Sequence, residues 1–521
     1  MYFSDKFPHG SPHPTPSLQG DRKGSFSDLG WTNTFAGLGE AFYSRVQPTP
    51  FDGAAWLIHI NRGMAQTLGL DAEAMDESAL LANLSGQAVP KGADPLAMLY
   101  AGHQFGTYVP QLGDGRAIML GEIRDPANRP WEIQLKGSGL TPYSRQGDGR
   151  AVLRSTLREY LCSEAMHGLG IPTTRALAMV GSDEEVYREH IEPGAMLARL
   201  APSHVRFGSF EVFFYRNQYD HIRSLADYVL EHHYPELKET ANPYQSLLVE
   251  VIQRTARLIA KWQAVGFAHG VMNSDNMSIL GLTIDYGPFG FLESYQPGYI
   301  CNHSDYSGRY AFDQQPNIGL FNLSCLAQAL LPLFDDDPNQ GAEWAKSALA
   351  EYQGIFVKTY ASLMRAKLGL QEALDEDQSL LEDLLSLMQQ GGTDYTILFR
   401  KLSEFTCGGL RDANPPYVIR DLFLDREDFD AWAERYALRL QKENSVDDER
   451  CERMNNVNPK YILRNYLAEV AIRKAEDEKD YSEIDSLFKL LQKPFDEQPE
   501  NEHYAAHPPD WASGIEVSCS S

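Results

Sequence analysis

Asn276 and Asp285 stand nine residues apart in the stretch HGVMNSDNMSILGLTIDYG, residues 269–287. Both end in hard oxygen donors, the ligands taken by a Mg²⁺ ion shared between protein and phosphates. Asp275, directly before Asn276, is the nearest carboxylate able to accept a proton from an attacking hydroxyl; its alternative is a capping residue that orients Asn276. Upstream, GDGR occurs twice, at 113–116 and 147–150. Gly113 and Gly115 would let backbone N–H groups approach phosphate oxygens, with Arg116 adding charge. Asp148 and Gly149 offer a second nucleotide-contact loop, and each GDGR alone reads equally as a tight turn. Lys136 closes the run WEIQLK, and Arg199 and Arg206 follow seven residues apart. A guanidinium fork matches phosphate oxygens, although both arginines have an alternative in pairing with the acidic stretch Asp183–Glu192. The chemistry these residues share is metal-assisted transfer from a nucleoside triphosphate.

Their order along the chain follows that of a protein kinase, with one substitution. A kinase catalytic loop reads H-R-D-L-x-x-x-N, its Asp being the base, and D-F-G follows. His269 and Asn276 fall in that register, and Asp285-Tyr286-Gly287 stands at the D-F-G position, but the base position holds Val271. Lys136 parallels the strand lysine that contacts phosphates and pairs with a helix glutamate. Glu159 and Glu164 are the candidates for that partner.

These side chains need elements to hold them. Ala117–Ile123 and Trp131–Lys136 have the composition of strands, and 153–169 reads as a helix. In 244–265, Leu247, Leu248, Val251, Ile252, Thr255, Leu258, Ile259 and Trp262 form one stripe at helical spacing. The apolar residues Ile279, Leu280, Leu282 and Ile284 predict a short hairpin that delivers Asp285. From 320 to 492 the pattern is mostly helical and increasingly acidic.

Composition excludes several function classes. The 521 residues carry a formal net charge of −26, which disfavours a nucleic-acid binder, since affinity for a phosphate backbone comes mainly from Lys and Arg. Residues 131–206 hold nine Lys/Arg against nine Asp/Glu, but the carboxylates gather at Asp183–Glu192, which leaves the remainder of the segment a locally cationic island suited to a polyphosphate ligand. No apolar run is long enough to span a membrane, and mean hydropathy is −0.38. The first residues, MYFSDKFPHGSPHPTPSLQG, lack the pattern of a signal or transit peptide, so a cytoplasmic protein is expected. The six cysteines form no C-x-x-C pair, as expected of reduced thiols.

HGVMNSDN with DYGPFGF, GHQFGTYVPQLGDGR, LKGSGLTPYSRQGDGRAVLRS, APSHVRFG and CNHSDYSGRYAF together closely resemble the selenoprotein O family, from about Trp31 to the C-terminus. The resemblance implies an α+β, protein-kinase-like bilobal fold with an N-terminal extension and additional C-terminal helices. The divisions expected are a disordered tail (1–30), an extension with the N-lobe (31–225) and a C-lobe core (226–320). A helical extension (321–500) and a C-terminal tail (501–521) complete them. The implied activity is protein adenylylation: AMP passes from ATP to Ser, Thr or Tyr hydroxyls of proteins, with the nucleotide inverted relative to a kinase. Lys136, Arg199 and Arg206 then match phosphate contacts, Glu159 the residue orienting Lys136, and Asp275 the proton acceptor. Gly113, Gly115, Arg116, Asp148 and Gly149 match nucleotide contacts, and Asn276 and Asp285 match ligands of Mg²⁺ (or Mn²⁺). Some relatives carry selenocysteine beside a cysteine near the C-terminus, where this chain has Cys519; pairing of Cys519 with Cys301 as a redox switch is one expectation, two unlinked thiols the other. UMP transfer from UTP, a conventional kinase and an inactive ATP-binding pseudokinase scaffold stand as alternatives. The expected partners are ATP and hydroxyl-bearing protein substrates, with neither nucleic acid nor membrane, and the expected state is a monomer.

Overall fold

The computed structural model of this chain describes residues 24–408 and 417–518. The fold is α+β, and its contacts divide it into two units, one comprising residues up to Leu99 with Gln111–His204, the other Tyr100–Pro110 with Val205 onward.

The first unit is built on an antiparallel sheet. Its strands are β1 (Tyr43–Arg45), β2 (Ala55–Ile60), β3 (Leu96–Met98), β6 (Ala117–Arg124), β7 (Pro130–Lys136), β8 (Ala151–Val152), β9 (Arg175–Tyr187) and β10 (Ile191–Ala201), with β4 and β5 lying in the other unit. They run β1-β3-β6-β7-β10-β9-β2, and β8 pairs with β10. Both strands expected around Lys136 are thus present. The helix expected at 153–169 is α3 (Leu153–Gly168), packed against β9 and β10; α1 (Arg62–Thr67) and α2 (Glu77–Leu84) precede it. Register places Arg199 opposite Gln134 and Leu197 opposite Lys136. Because strand side chains alternate, Gln134, Lys136 and Arg199 share one sheet face. The core gathers Leu120, Ile133, Leu135, Val180, Met196 and Leu200 with Phe26 and Leu29, which fall inside the expected N-terminal tail.

The second unit is mainly helical. A two-stranded hairpin, β4 (Gly102–Gln104) and β5 (Thr107–Val109), belongs to it, followed by α4 (Phe207–Tyr215), α5 (Tyr219–His233) and α6 (Pro243–Val265). Asn242 caps α6 by accepting from Gln245 N, Pro243 occupies its first turn, and Gly266 closes it at φ 77°. The whole predicted stripe of α6 is buried. Trp262 also donates from Nε1 to Thr283 Oγ1 at 3.0 Å, tying the helix to the segment before Asp285. Next come α7 (Gln315–Leu330) and α8 (Pro338–Lys367), and helices continue to Ser482–Leu491, as the sequence pattern predicts. Their core includes Leu384, Met388, Phe399, Phe429, Trp432 and Tyr436. Among the described residues no helix is long and apolar enough to cross a membrane.

One expectation gives way. Residues 279–284 form no hairpin of paired strands; Gly281 N closes a turn on Ser278 O at 3.1 Å, and Ile279 N bonds Val205 O. The apolar residues there are held by packing, with Ile279 and Ile284 both buried.

Candidate active site

In the first unit, the shared sheet face of β7 and β10 meets α3 at a charge cluster. Lys136 Nζ donates to Glu159 Oε2, and Arg199 Nη1 donates to Glu159 Oε1 at 3.1 Å. Arg199 Nε also reaches Gln134 Oε1 at 2.6 Å. One buried carboxylate therefore sits between two cations. Glu164, the other helix candidate, is committed to Arg175 at 2.9 Å. Two carboxylates of the acidic stretch pair with arginines other than Arg199 and Arg206: Glu184 holds Arg150 at 2.7 Å and Glu192 holds Arg154 at 2.9 Å.

The two GDGR loops differ in what holds them. In the first, Asp114 is buried and its Oδ2 accepts from Met98 N at 3.0 Å and Gln134 Nε2 at 2.9 Å. Gly113 packs against the Tyr143 ring and Gly115 against the Tyr143 carbonyl, while Arg116 O accepts from Gly137 N. In the second, Asp148 takes Arg188 through both oxygens at 2.7 and 3.0 Å, which holds its carboxyl below the ordinary range. Gly149, at φ 75°, lies directly on the Gly139 backbone, where any Cβ would collide.

In the second unit, Arg206 begins α4 with its side chain 1% exposed. Its Nη1 donates to Asp285 Oδ2 at 2.5 Å and to the Asp275 main-chain O at 2.8 Å, and its guanidinium lies 4.4 Å from the Tyr100 ring centroid. Asp285 adopts φ 56°, a left-handed conformation uncommon outside glycine and the kind of local strain that collects at working sites. Asn276 Nδ2 donates to Val271 O at 2.9 Å, so its amide oxygen is the end left to accept a cation. The hard-oxygen donors Asn276 and Asp285 therefore suit Mg²⁺ by chemical type. His269 is buried and donates from Nε2 to Ile284 O at 2.9 Å; burial lowers its pKa.

Asp275 is buried beside them. Gln104 Nε2 reaches its Oδ2 at 3.3 Å, and its Oδ1 has no hydrogen-bond partner among the described residues. Burial pushes this carboxyl up to about 7 despite the opposing charge of Arg206. The β4–β5 hairpin wraps the loop: His103 N donates to Ser274 Oγ at 2.7 Å, and Phe105 N to Tyr310 Oη at 2.8 Å. Tyr310 in turn donates to Asn273 Oδ1 at 2.6 Å. Gln104 and Tyr310 are absent from the residues expected to form the site; the only local signal for Gln104 is the pair of glycines in GHQFG, a residue type that permits close backbone approach. Gly102 makes that approach, since a Cβ there would stand 2.6 Å from Asp275 Oδ1. Gly102→Ala is expected to shift Asp275, lowering kcat about tenfold or more while costing about 1–3 kcal/mol of stability. Steady-state kinetics beside a thermal melt check this; unchanged kcat would separate Asp275 from the chemistry.

Cys301 is buried with Sγ 3.5 Å from Ala268 O. Its expected partner Cys519 lies outside the described residues.

A family model described as protein adenylyltransferase SelO matches residues 25–492. The chain is 57% identical over 498 residues to protein nucleotidyltransferase YdiU of Thiobacillus denitrificans, covering 95% of this chain and 100% of the relative. It is 56% identical over 496 residues to the YdiU protein of Thioalkalivibrio sulfidiphilus, covering 95% and 99%. Against that of Myxococcus xanthus the identity is 54% over 497 residues, with coverage of 95% and 100%.

Proposed function

Because this chain belongs to the SelO family of protein adenylyltransferases, we propose that it moves AMP from ATP onto Ser, Thr or Tyr hydroxyls of proteins. The hydroxyl oxygen attacks the α-phosphorus, the bond from that phosphorus to the bridging oxygen breaks, and pyrophosphate leaves. Asp275 takes the hydroxyl proton, standing in for the base that a kinase keeps where this chain has Val271. Asn276 and Asp285 would hold Mg²⁺ (or Mn²⁺), which when bound neutralises phosphate charge and eases departure of pyrophosphate. Lys136 and Arg199 contact phosphates, Glu159 orients Lys136, and Gly113, Gly115, Arg116, Asp148 and Gly149 supply the remaining nucleotide contacts. In this reading the fold is protein-kinase-like and bilobal, with ATP inverted so that its α-phosphate meets the acceptor.

The observation that carries the reading is Arg206, a buried cation fixed on both Asp285 and the Asp275 backbone. Kinase catalysis of γ-phosphoryl transfer calls for no arginine at its metal-binding Asp. A fixed positive charge there instead suits a triphosphate whose polarity is reversed. Incubation with ATP, Mg²⁺ and an acceptor protein is expected to release pyrophosphate in step with modification; ADP without pyrophosphate would overturn the proposal.

A further inference from the structure

The β4–β5 hairpin carries a second group of donors that the adenylylation chemistry does not use. We propose that His103, Glu211 and Cys325 form a binding site for a soft divalent cation of the zinc class, distinct from the Asn276–Asp285 pair. The three residues come from β4, α4 and α7, and one ligand atom from each lies within 4.8 Å of the others. An imidazole nitrogen, a carboxylate oxygen and a sulfur are the donor types zinc takes, whereas Mg²⁺ prefers oxygen alone.

Two features point to a ligand rather than to packing. Glu211 is completely buried, yet only its Oε2 is engaged, with His103 Nδ1 at 2.5 Å. Its Oε1 has no hydrogen-bond partner among the described residues, a costly arrangement that a cation would relieve. Second, Cys325 lies among these groups as a buried free thiol. Its sulfur is one of the three ligand atoms that lie within 4.8 Å of one another. A bound cation displaces the thiol proton of Cys325. One carboxylate and one thiolate then cancel the charge of the ion, with Arg309 close enough to favour the thiolate. Tyr108, Tyr215 and Phe321 surround the imidazole, with ring centroids 5.4, 6.0 and 5.8 Å from it, restricting water.

The cation would act as a structural tie. His103 sits between Gly102, which packs on Asp275, and Gln104, which bonds its carboxylate. Drawing β4, α4 and α7 together at His103 fixes the hairpin where it holds the Asp275 loop.

Full-length protein stripped of metal with a chelator and then titrated with Co²⁺ tests the site, with zinc content measured on a separate, unstripped sample expressed with zinc. Wild type is expected to retain equimolar zinc and to develop a thiolate-to-cobalt absorption band. Cys325→Ser should lose the band, and Glu211→Gln should weaken cobalt binding at least as much as the roughly 10–100-fold that loss of a supporting residue costs. Asp285→Asn should keep the band, separating this site from the magnesium ligands. Absence of both zinc and band in the wild type, or persistence of the band in Cys325→Ser, would overturn the proposal. Because the wild-type reading decides the first of these, an unstable variant leaves the test intact.

Discussion

Asp285→Asn should lower AMP transfer about 10³-fold or more while the protein still folds. The substitution keeps the side chain's shape and removes its charge. Asparagine tolerates the left-handed conformation at φ 56°, so the loop is not forced open. What is lost is the negative ligand for the metal and the counter-charge of Arg206. Arg206 keeps the Asp275 carbonyl and the Tyr100 ring, so only one of its contacts weakens. The expected stability cost is about 1.5–3 kcal/mol, the range for a hydrogen bond to a charged group. Turnover therefore falls far more than stability does. A thermal melt beside a transfer assay at saturating Mg²⁺ checks this, and activity near wild type would remove Asp285 from the metal site.

Glu159→Gln should produce the second large effect, chiefly on stability. Glu159 is 1% exposed and is the shared partner of Lys136 and Arg199. Without its charge, two cations on one sheet face repel each other in a desolvated setting. Breaking one partner out of a buried ion pair costs about 3–5 kcal/mol. The variant should also lose about 10²-fold in transfer, because Lys136 is no longer held in place. ATP binding should tighten, since unneutralised cations attract phosphates. Hence ATP should raise the melting temperature of the variant by more than it raises that of the wild type. Equal ATP shifts in the two proteins would mean that Lys136 and Arg199 do not meet phosphate.

Those two predictions rest on parts of the fold that the sequence displayed openly. The strand pattern of AIMLGEI and WEIQLK, the stripe on α6 and the spacing from Asn276 to Asp285 are local, so periodicity and motif spacing expose them. Residue spacing alone leaves Glu159 and Glu164 open; the family resemblance selects Glu159, and the structure supplies the physical reason, Arg175 as the partner of Glu164. The Gln104 contact with Asp275 joins residues 171 positions apart, and no local pattern encodes such a pairing. The expected hairpin before Asp285 failed for a related reason. Alternating apolar residues fit a paired strand or a packed turn equally well, and burial against α6 decided for the turn. The second GDGR reads from the sequence as either a nucleotide loop or a tight turn, and the partner that orients its Asp148, Arg188, lies 40 residues downstream, beyond the reach of a local pattern.

The central claim is that the α-phosphate, not the γ-phosphate, is transferred. Parallel incubations of the full-length protein with ATP labelled on the α- or on the γ-phosphorus test it most directly. Label appearing on protein only from α-labelled ATP, and lost in Asp285→Asn, is the predicted result; label arriving from γ-labelled ATP instead would contradict it.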